Sequence, residues 1–162
     1  MTRGAVTHED GRVIFGEASV TVTATPEEVL AFLWDLERYR EADHKIGRVL
    51  SSQPDGDELV VRFVPRMRGL PGPPVRQRLR RTGPHRVDIT DEPGSWTSRL
   101  QTFSGFLTAE PTEDGTLVTH REQLDFRGPL AGVMERSLRR WLAHDVRAEV
   151  GRIGQLLGRV EP

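Results

Sequence analysis

The chain has no cysteine, which excludes disulfides, thiolate metal sites and cysteine nucleophiles together and fits a reducing compartment. It has no apolar run near the roughly 18 residues of a membrane span, so no span is expected. Its start, MTRGAVTHEDGRVIFG, lacks the hydrophobic segment of a signal peptide, and a cytoplasmic location is expected. An excess of charge of one sign is also missing: 23 basic and 24 acidic residues leave a net charge of -1, with no global pull toward nucleic acid or anionic lipid. Lysine is nearly absent, with Lys45 alone against 22 arginines. The five histidines show no HxxxH or HxH spacing, so no metal site is expected. No glycine-rich phosphate loop follows a strand, and GPLAG and FSG do not match a nucleophile elbow. What remains is a chain of 162 residues, a length suited to a single domain spanning 1–162.

The residues present give a clear order of elements. VIFGEASVTVTA alternates so that Ile14, Ala18, Val20 and Val22 share one face of a strand. In TPEEVLAFLWDLERYREAD, Thr25 is the N-cap, Pro26 the first helical residue and Glu28 the partner in a capping box. A bend near Asp35 then predicts two short helices. From Ile46 the turn signals QPDGD, GLPGPP, TGP, EPG and EDG divide the chain into strands near 46–52, 58–66, 75–81, 85–91, 96–109 and 116–126, an antiparallel meander. From Pro129 to about Val160 a long helix places Leu138, Leu142, Val146, Ile153 and Leu156 on one face, with Met134 and Trp141 at its margin. The fold class is α+β, with a seven-stranded antiparallel sheet, two short helices after the first strand and a long C-terminal helix.

Two polar groups interrupt faces that should be apolar. In TLVTHREQLDF, Thr116, Val118, His120, Glu122, Leu124 and Phe126 share a face, which puts a histidine beside a carboxylate among apolar neighbours. Such a pair serves either as general acid and base or as a buried hydrogen-bonded pair with no catalytic task. On the last helix, Asp145 and Glu149 project within about 20° of the centre of the apolar stripe. They need partners, either inward arginines such as Arg78 or Arg99, or a wet cavity and its ligand. The stretch RMRGLPGPPVRQRLRR, Arg66 to Arg81, carries six arginines. It lacks the interleaved aromatics and net charge of a nucleic-acid grip, so no nucleic-acid partner is expected. A solvated hairpin and a strand turning arginines inward are both open. Alternation sets Val75, Gln77 and Leu79 against Arg76, Arg78 and Arg80.

The stretches VTVTATPEEVLAFLWDLERY and WTSRLQTFSGFLTAEPTEDGTLVTHREQLDF, with the closing helix, resemble the START-like, or Bet v 1-like, superfamily (SRPBCC), and within it the polyketide cyclase/dehydrase group. The resemblance runs from about Val13 to Leu157. It implies a helix-grip fold, with the sheet curled round the last helix over a cavity for a hydrophobic, aromatic or polyketide-like small molecule, and no cofactor. It also implies that Arg78 faces the cavity and binds a ligand oxygen, and that an aromatic residue stands at the cavity mouth, where Tyr39 and His44 fall here. The implied chemistry is lyase-like, aldol cyclisation followed by loss of water. Arg78, His120, Glu122, Asp145 and Glu149 are then the candidate catalytic residues, and Tyr39, His44, Trp96, Arg99 and Trp141 the candidate ligand contacts. The other reading on the same fold is a non-catalytic carrier or sensor of a lipid or quinone. A third gives the arginine hairpin an acidic protein partner, such as an acyl carrier protein. Monomer and homodimer are both compatible with the sequence.

Overall fold

Alternation makes β1 (Arg12–Val22) a strand with Ile14, Gly16 and Val22 buried on one face, as seen in a computed structural model that describes residues 12–94 and 96–160. Thr25 then caps α1 (Pro26–Trp34): its hydroxyl accepts from the Glu28 amide at 3.3 Å, and the Glu28 carboxylate accepts from the Thr25 amide at 2.8 Å. This reciprocal cap satisfies two amides that a helix start leaves unpaired. Asp35 ends α1 and caps α2 (Leu36–Tyr39), accepting from the Arg38 amide at 3.2 Å.

The meander follows as expected, with differences at two turns. Its strands are β2 (Ile46–Asp55), β3 (Glu58–Met67), β4 (Leu70–Pro71), β5 (Val75–Gly83), β6 (Arg86–Asp91), β7 (Gln101–Thr112) and β8 (Gly115–Phe126). The GLPGPP segment is more than a turn: Arg68 and Gly69, with φ of 52° and 81°, reverse the chain so that β4 pairs back onto the end of β3. The strand expected from 96 instead begins as one turn of 3-10 helix, Trp96–Arg99. The sheet order is β1-β8-β7-β6-β5-β3-β2, antiparallel throughout, so the first and last strands are neighbours and the seven-strand expectation holds with β4 added at the side. Register shifts between β2 and β3 bend that edge of the sheet.

The last helix, α3 (Ala131–Leu157), lies on β1 and β8 and ends at Gly158, whose φ of 81° is the left-handed cap that glycine adopts without strain. Leu138, Leu142, Val146, Val150 and Ile153 are buried along it, whereas Leu156, expected on the same face, is exposed and Leu157 packs against the core in its place. Among the described residues no helix is long and apolar enough to cross a membrane.

Polar residues divide the apolar interior in two. Along β8 every second residue is buried, but His120 and Glu122 stand between Val118 and Leu124. Along α3, Glu149 stands between Val146 and Ile153. Val118 and Ile153 belong to a core with α1 and α2, while Leu124 and Val146 belong to a second one under the first half of α3. Glycine makes room where the two meet. Glu122 pairs across the sheet with Gly16 on one side and Gly105 on the other, and a Cβ on Gly16 would stand 2.9 Å from the Leu142 carbonyl. The helix backbone therefore packs directly on β1 beside Glu122.

That contact predicts opposite outcomes for two glycine substitutions. Gly16→Ala forces α3 away from the sheet and lowers stability by about 1–3 kcal/mol in denaturant unfolding. Gly151→Ala, in the middle of α3 with open space around the new methyl, raises it by roughly 0.5–1 kcal/mol.

Candidate functional site

Beneath α3 the sheet leaves a cavity of about 300 Å³ whose walls are mostly apolar, among them Phe63, Met67, Val75, Phe103, Leu124 and Trp141. One end is ionic. Asp43, Lys45 and Glu122 line it, backed by His120, Asp145, Glu149 and Tyr39. Lys45, Arg66 and Trp141 also line a surface depression that includes His44, Arg68 and Asp145.

Local structure delivers each of these side chains. After α2, the Ala42 and Asp43 amides donate to the Tyr39 carbonyl, and the Asp43 carboxylate accepts from the Lys45 amide at 2.9 Å. This tight turn aims Tyr39, Asp43 and Lys45 inward together. The Lys45 carbonyl accepts from the Arg66 amide at 2.6 Å, which ties the turn to β3. Period two on β8 supplies His120 and Glu122, and an i, i+4 step on α3 supplies Asp145 and Glu149.

Lys45 is the hub. Its Nζ lies 2.6 Å from Asp145 Oδ2, 2.8 Å from Glu149 Oε2, 2.9 Å from Asp43 Oδ1 and 3.3 Å from Glu122 Oε1. Burial opposes its charge, but the surrounding carboxylates outweigh burial and hold its pKa well above the ordinary lysine value. Glu149, with no exposed surface, also accepts from the Tyr39 hydroxyl at 2.5 Å and lies 3.2 Å from His120 Nε2. Burial pushes its pKa up, yet Lys45 and His120 prevail and hold it well below the usual carboxylate range. His120 Nδ1 is 2.9 Å from the Phe106 carbonyl, which can only accept, so that nitrogen carries a proton. Its Nε2 faces Glu122 and Glu149; burial opposes a second proton, but the two carboxylates win and raise the pKa well above the ordinary value, making the ring an imidazolium. Asp43 goes the other way: burial and then Glu149 push it up to about 7, against the partial relief of Lys45. Glu122 Oε2 is buried with no hydrogen-bond partner among the described residues.

The structure thus brings together four of the five acid, base and cation residues expected to act, His120, Glu122, Asp145 and Glu149, and leaves out the fifth. Arg78 points to the outer face of β5, bound by Glu58 and, at 2.5 Å, by Glu92, while Val75 and Gln77 on the opposite face line the cavity. No bulge shifts the register across Val75–Arg81, so alternation sends all of Arg76, Arg78 and Arg80 outward. Arg99 is likewise exposed on the 3-10 turn and does not pair with the helix carboxylates; Lys45 does. Tyr39 is buried against Glu149 rather than standing at a mouth, because the turn after α2 folds inward. His44 is exposed at the surface depression, and Trp141 lines the cavity. The side chain of Trp96 lies outside the described residues. Asp43 and Lys45 were not expected. Their signal was the singular lysine itself, next to EADH, in a chain that otherwise uses arginine for every basic position.

Four carboxylates and His120 are grouped closely enough to suggest a metal: His120, Glu122 and Glu149 form one such set and Asp43, Asp145 and Glu149 another. Lys45 Nζ stands within 3.3 Å of a carboxylate oxygen from every acidic member of both sets, so a cation already occupies the position an ion would take.

The raised Asp43 pKa has a measurable sign. A carboxyl whose folded pKa is about 7 against a usual 3.8 contributes stability that is complete below the usual value and lost as pH rises through about 7. Replacing Asp43 by Asn removes that loss, so the stability of Asp43→Asn relative to the parent rises between about pH 4 and about pH 8 in denaturant titrations. A pH-independent difference contradicts the assignment.

Comparison with known proteins agrees with this architecture. The family described as polyketide cyclase / dehydrase and lipid transport matches residues 16–158. Among solved structures, the di-domain ARO/CYC StfQ from the steffimycin biosynthetic pathway superposes with a TM-score of 0.70 at 12% identity, covering 90% of this chain and 50% of that one, so the chain spans about half of StfQ. TTHA0849 from Thermus thermophilus gives a TM-score of 0.66 at 16% identity, over 90% of this chain and 97% of that one. The Zhui aromatase/cyclase from Streptomyces sp. R1128 gives 0.63 at 17% identity, over 89% and 95%. Curated protein sequences give no match. At these identities the structures speak for the helix-grip fold alone, whereas the family match covers most of the sequence: the chain belongs to the polyketide cyclase/dehydrase and lipid transport family.

Proposed function

We propose that the chain binds an apolar, aromatic or polyketide-like small molecule between the sheet and α3 and moves protons on it with the ionic cluster. The observation that carries this reading is the composition of the cavity: an apolar chamber with buried titratable groups confined to one end. Glu122 suits the base. It lines the cavity and has a carboxylate oxygen without a donor, whereas Glu149 is engaged by Lys45, His120 and Tyr39. His120 and Lys45 hold Glu122 in place through its other oxygen.

The carbonyl-holding role expected of Arg78 passes to Arg66. It lines the cavity, its side chain lies over Gly47 where a Cβ would stand 3.2 Å away, and no carboxylate among the described residues pairs with it. A free guanidinium there can polarise a ketone while Glu122 removes the neighbouring proton, the first step of aldol cyclisation and dehydration. The rival reading, carriage of a hydrophobic ligand without turnover, draws support from the state of Lys45, whose charge is already shared among carboxylates and is not free for an oxyanion.

Turnover of an aromatic polyketone by the purified protein, followed by mass spectrometry beside calorimetric affinity, tests the pair. The catalytic reading expects Glu122→Gln to keep affinity within about threefold and lower the rate by about 10²-fold or more. It expects Arg66→Ala to weaken both, and Arg78→Ala to leave both unchanged. Binding without turnover in the parent assigns the chain to carriage, and a rate lost only in Arg78→Ala overturns the placement of the site.

A further inference from the structure

The ligand's own chemistry is written in a shortage of protons at Lys45. An ammonium has three N–H donors. Four carboxylates surround it, and those of Asp145, Glu149 and Asp43, at 2.6, 2.8 and 2.9 Å, are nearer than Glu122 at 3.3 Å. Glu122 is left with a marginal share of Lys45 and a 3.3 Å contact to His120, both on Oε1. Its Oε2 has no hydrogen-bond partner among the described residues, although the residue is only 2% exposed. A buried carboxylate oxygen without a donor is costly, and Glu122 is one of the residues that line the cavity.

Charge points the same way. At this end Glu122, Asp145 and Glu149, with an Asp43 whose raised pKa leaves it only partly ionised near neutral pH, face Lys45 and His120, so negative charge is in excess. Farther along the wall Asp91 adds another carboxylate, held by Gln77 at 3.1 Å and by the Phe103 amide at 2.8 Å, with no cation on it. Among the described residues, Arg66 is the one basic group lining the cavity besides Lys45. The remaining walls include Phe63, Phe103 and Trp141, whose ring faces favour a cation over an anion.

We propose that this cavity selects an aromatic ligand bearing a basic nitrogen, with its ammonium donating to the Glu122 carboxylate, and that it excludes ligands that place a carboxylate at that end. The proposal rests on the cavity being a ligand site and adds the class of ligand. A protonated amine supplies both things the site lacks, a donor for Glu122 and a positive charge. A neutral hydroxyl supplies only the first.

Three probes of one shape separate these terms: naphthylmethylamine, naphthylmethanol and naphthoic acid, titrated by calorimetry near neutral pH. The amine is expected to bind at least about tenfold tighter than the alcohol, the margin of a charge-assisted hydrogen bond over a neutral one, and the acid weakest of all. In Glu122→Gln the amine falls to within about threefold of the alcohol, and a far-UV circular dichroism spectrum matching that of the parent reports that the variant is folded. If the alcohol or the acid binds the parent as tightly as the amine, the cavity is a ligand site and the amine proposal is wrong. An amine preference that survives Glu122→Gln overturns the role of Glu122. If none of the three binds, the cavity reading itself fails, and this proposal with it. The comparison in the parent protein needs no variant and decides the charge question alone.

Discussion

Three protons on one ammonium and four carboxylates around it is the constraint from which the rest of the site follows. Lys45 comes from the turn after α2, Glu122 from β8, Asp145 and Glu149 from α3, so a single side chain ties together three of the elements around the cavity. Isolated burial of these charges is prohibitive, and replacing such a cluster by hydrocarbon often stabilises a protein. The mixed-sign packing makes the burial tolerable, with Lys45 and His120 holding Glu149 ionised, Asp43, Glu122 and Glu149 keeping Lys45 charged, and Glu149 and Glu122 raising the pKa of His120. What the arrangement does not do is neutralise itself. It leaves Asp43 with a raised pKa and Glu122 with an idle oxygen, and both line the cavity.

The scaffold explains how such a cluster fits without collapsing the fold. Apolar cores lie on either side of it, one with α1 and α2 and one under the first half of α3, and each is continuous without the polar residues. Glycines on both strands flanking β8 free the space next to Glu122, and the close contact of Gly16 with the Leu142 carbonyl sets the height of α3 above the sheet. Stability and site are therefore carried by different residues, which lets the polar centre be strained in charge while the architecture stays intact.

Most of the fold was legible in the sequence because it is written in local rules. The capping box at Thr25, the alternation in β1 and β8 and most of the turn punctuation each act over a few residues and appear where expected, the exceptions being GLPGPP, which adds β4, and residues 96–99, which form a 3-10 turn. The site was legible only where it broke such a rule. His120 and Glu122 interrupt a buried face of period two, Asp145 and Glu149 an apolar stripe, and those four meet. Lys45 and Asp43 lie in a turn, where polar residues break no periodicity, so their one signal was compositional, a single lysine in a chain of arginines. Arg78 failed for the opposite reason. Family resemblance turned it inward, while the alternation of Val75, Gln77 and Leu79 already assigned that face to apolar and amide side chains, and the local rule prevailed.

The arginine run shows why a fold shared across a family leaves ligand choice open. Its conspicuous charge is spent outside, where Arg78 and Arg80 meet Glu58, and Arg81 stacks over Trp34 at 5.0 Å. Among the described residues of the cavity wall, Arg66, at the start of the run, is the one arginine. With the arginines removed from the interior, the sign of the chamber is set by carboxylates on β8, α3 and the turn after α2. A helix-grip chamber lined by cations would hold an enolate or a carboxylate; this one, built on the same strands, has its unpaired capacity on an acceptor. The ligand is thus constrained less by the shape that the family shares than by one oxygen of Glu122 and the proton it lacks.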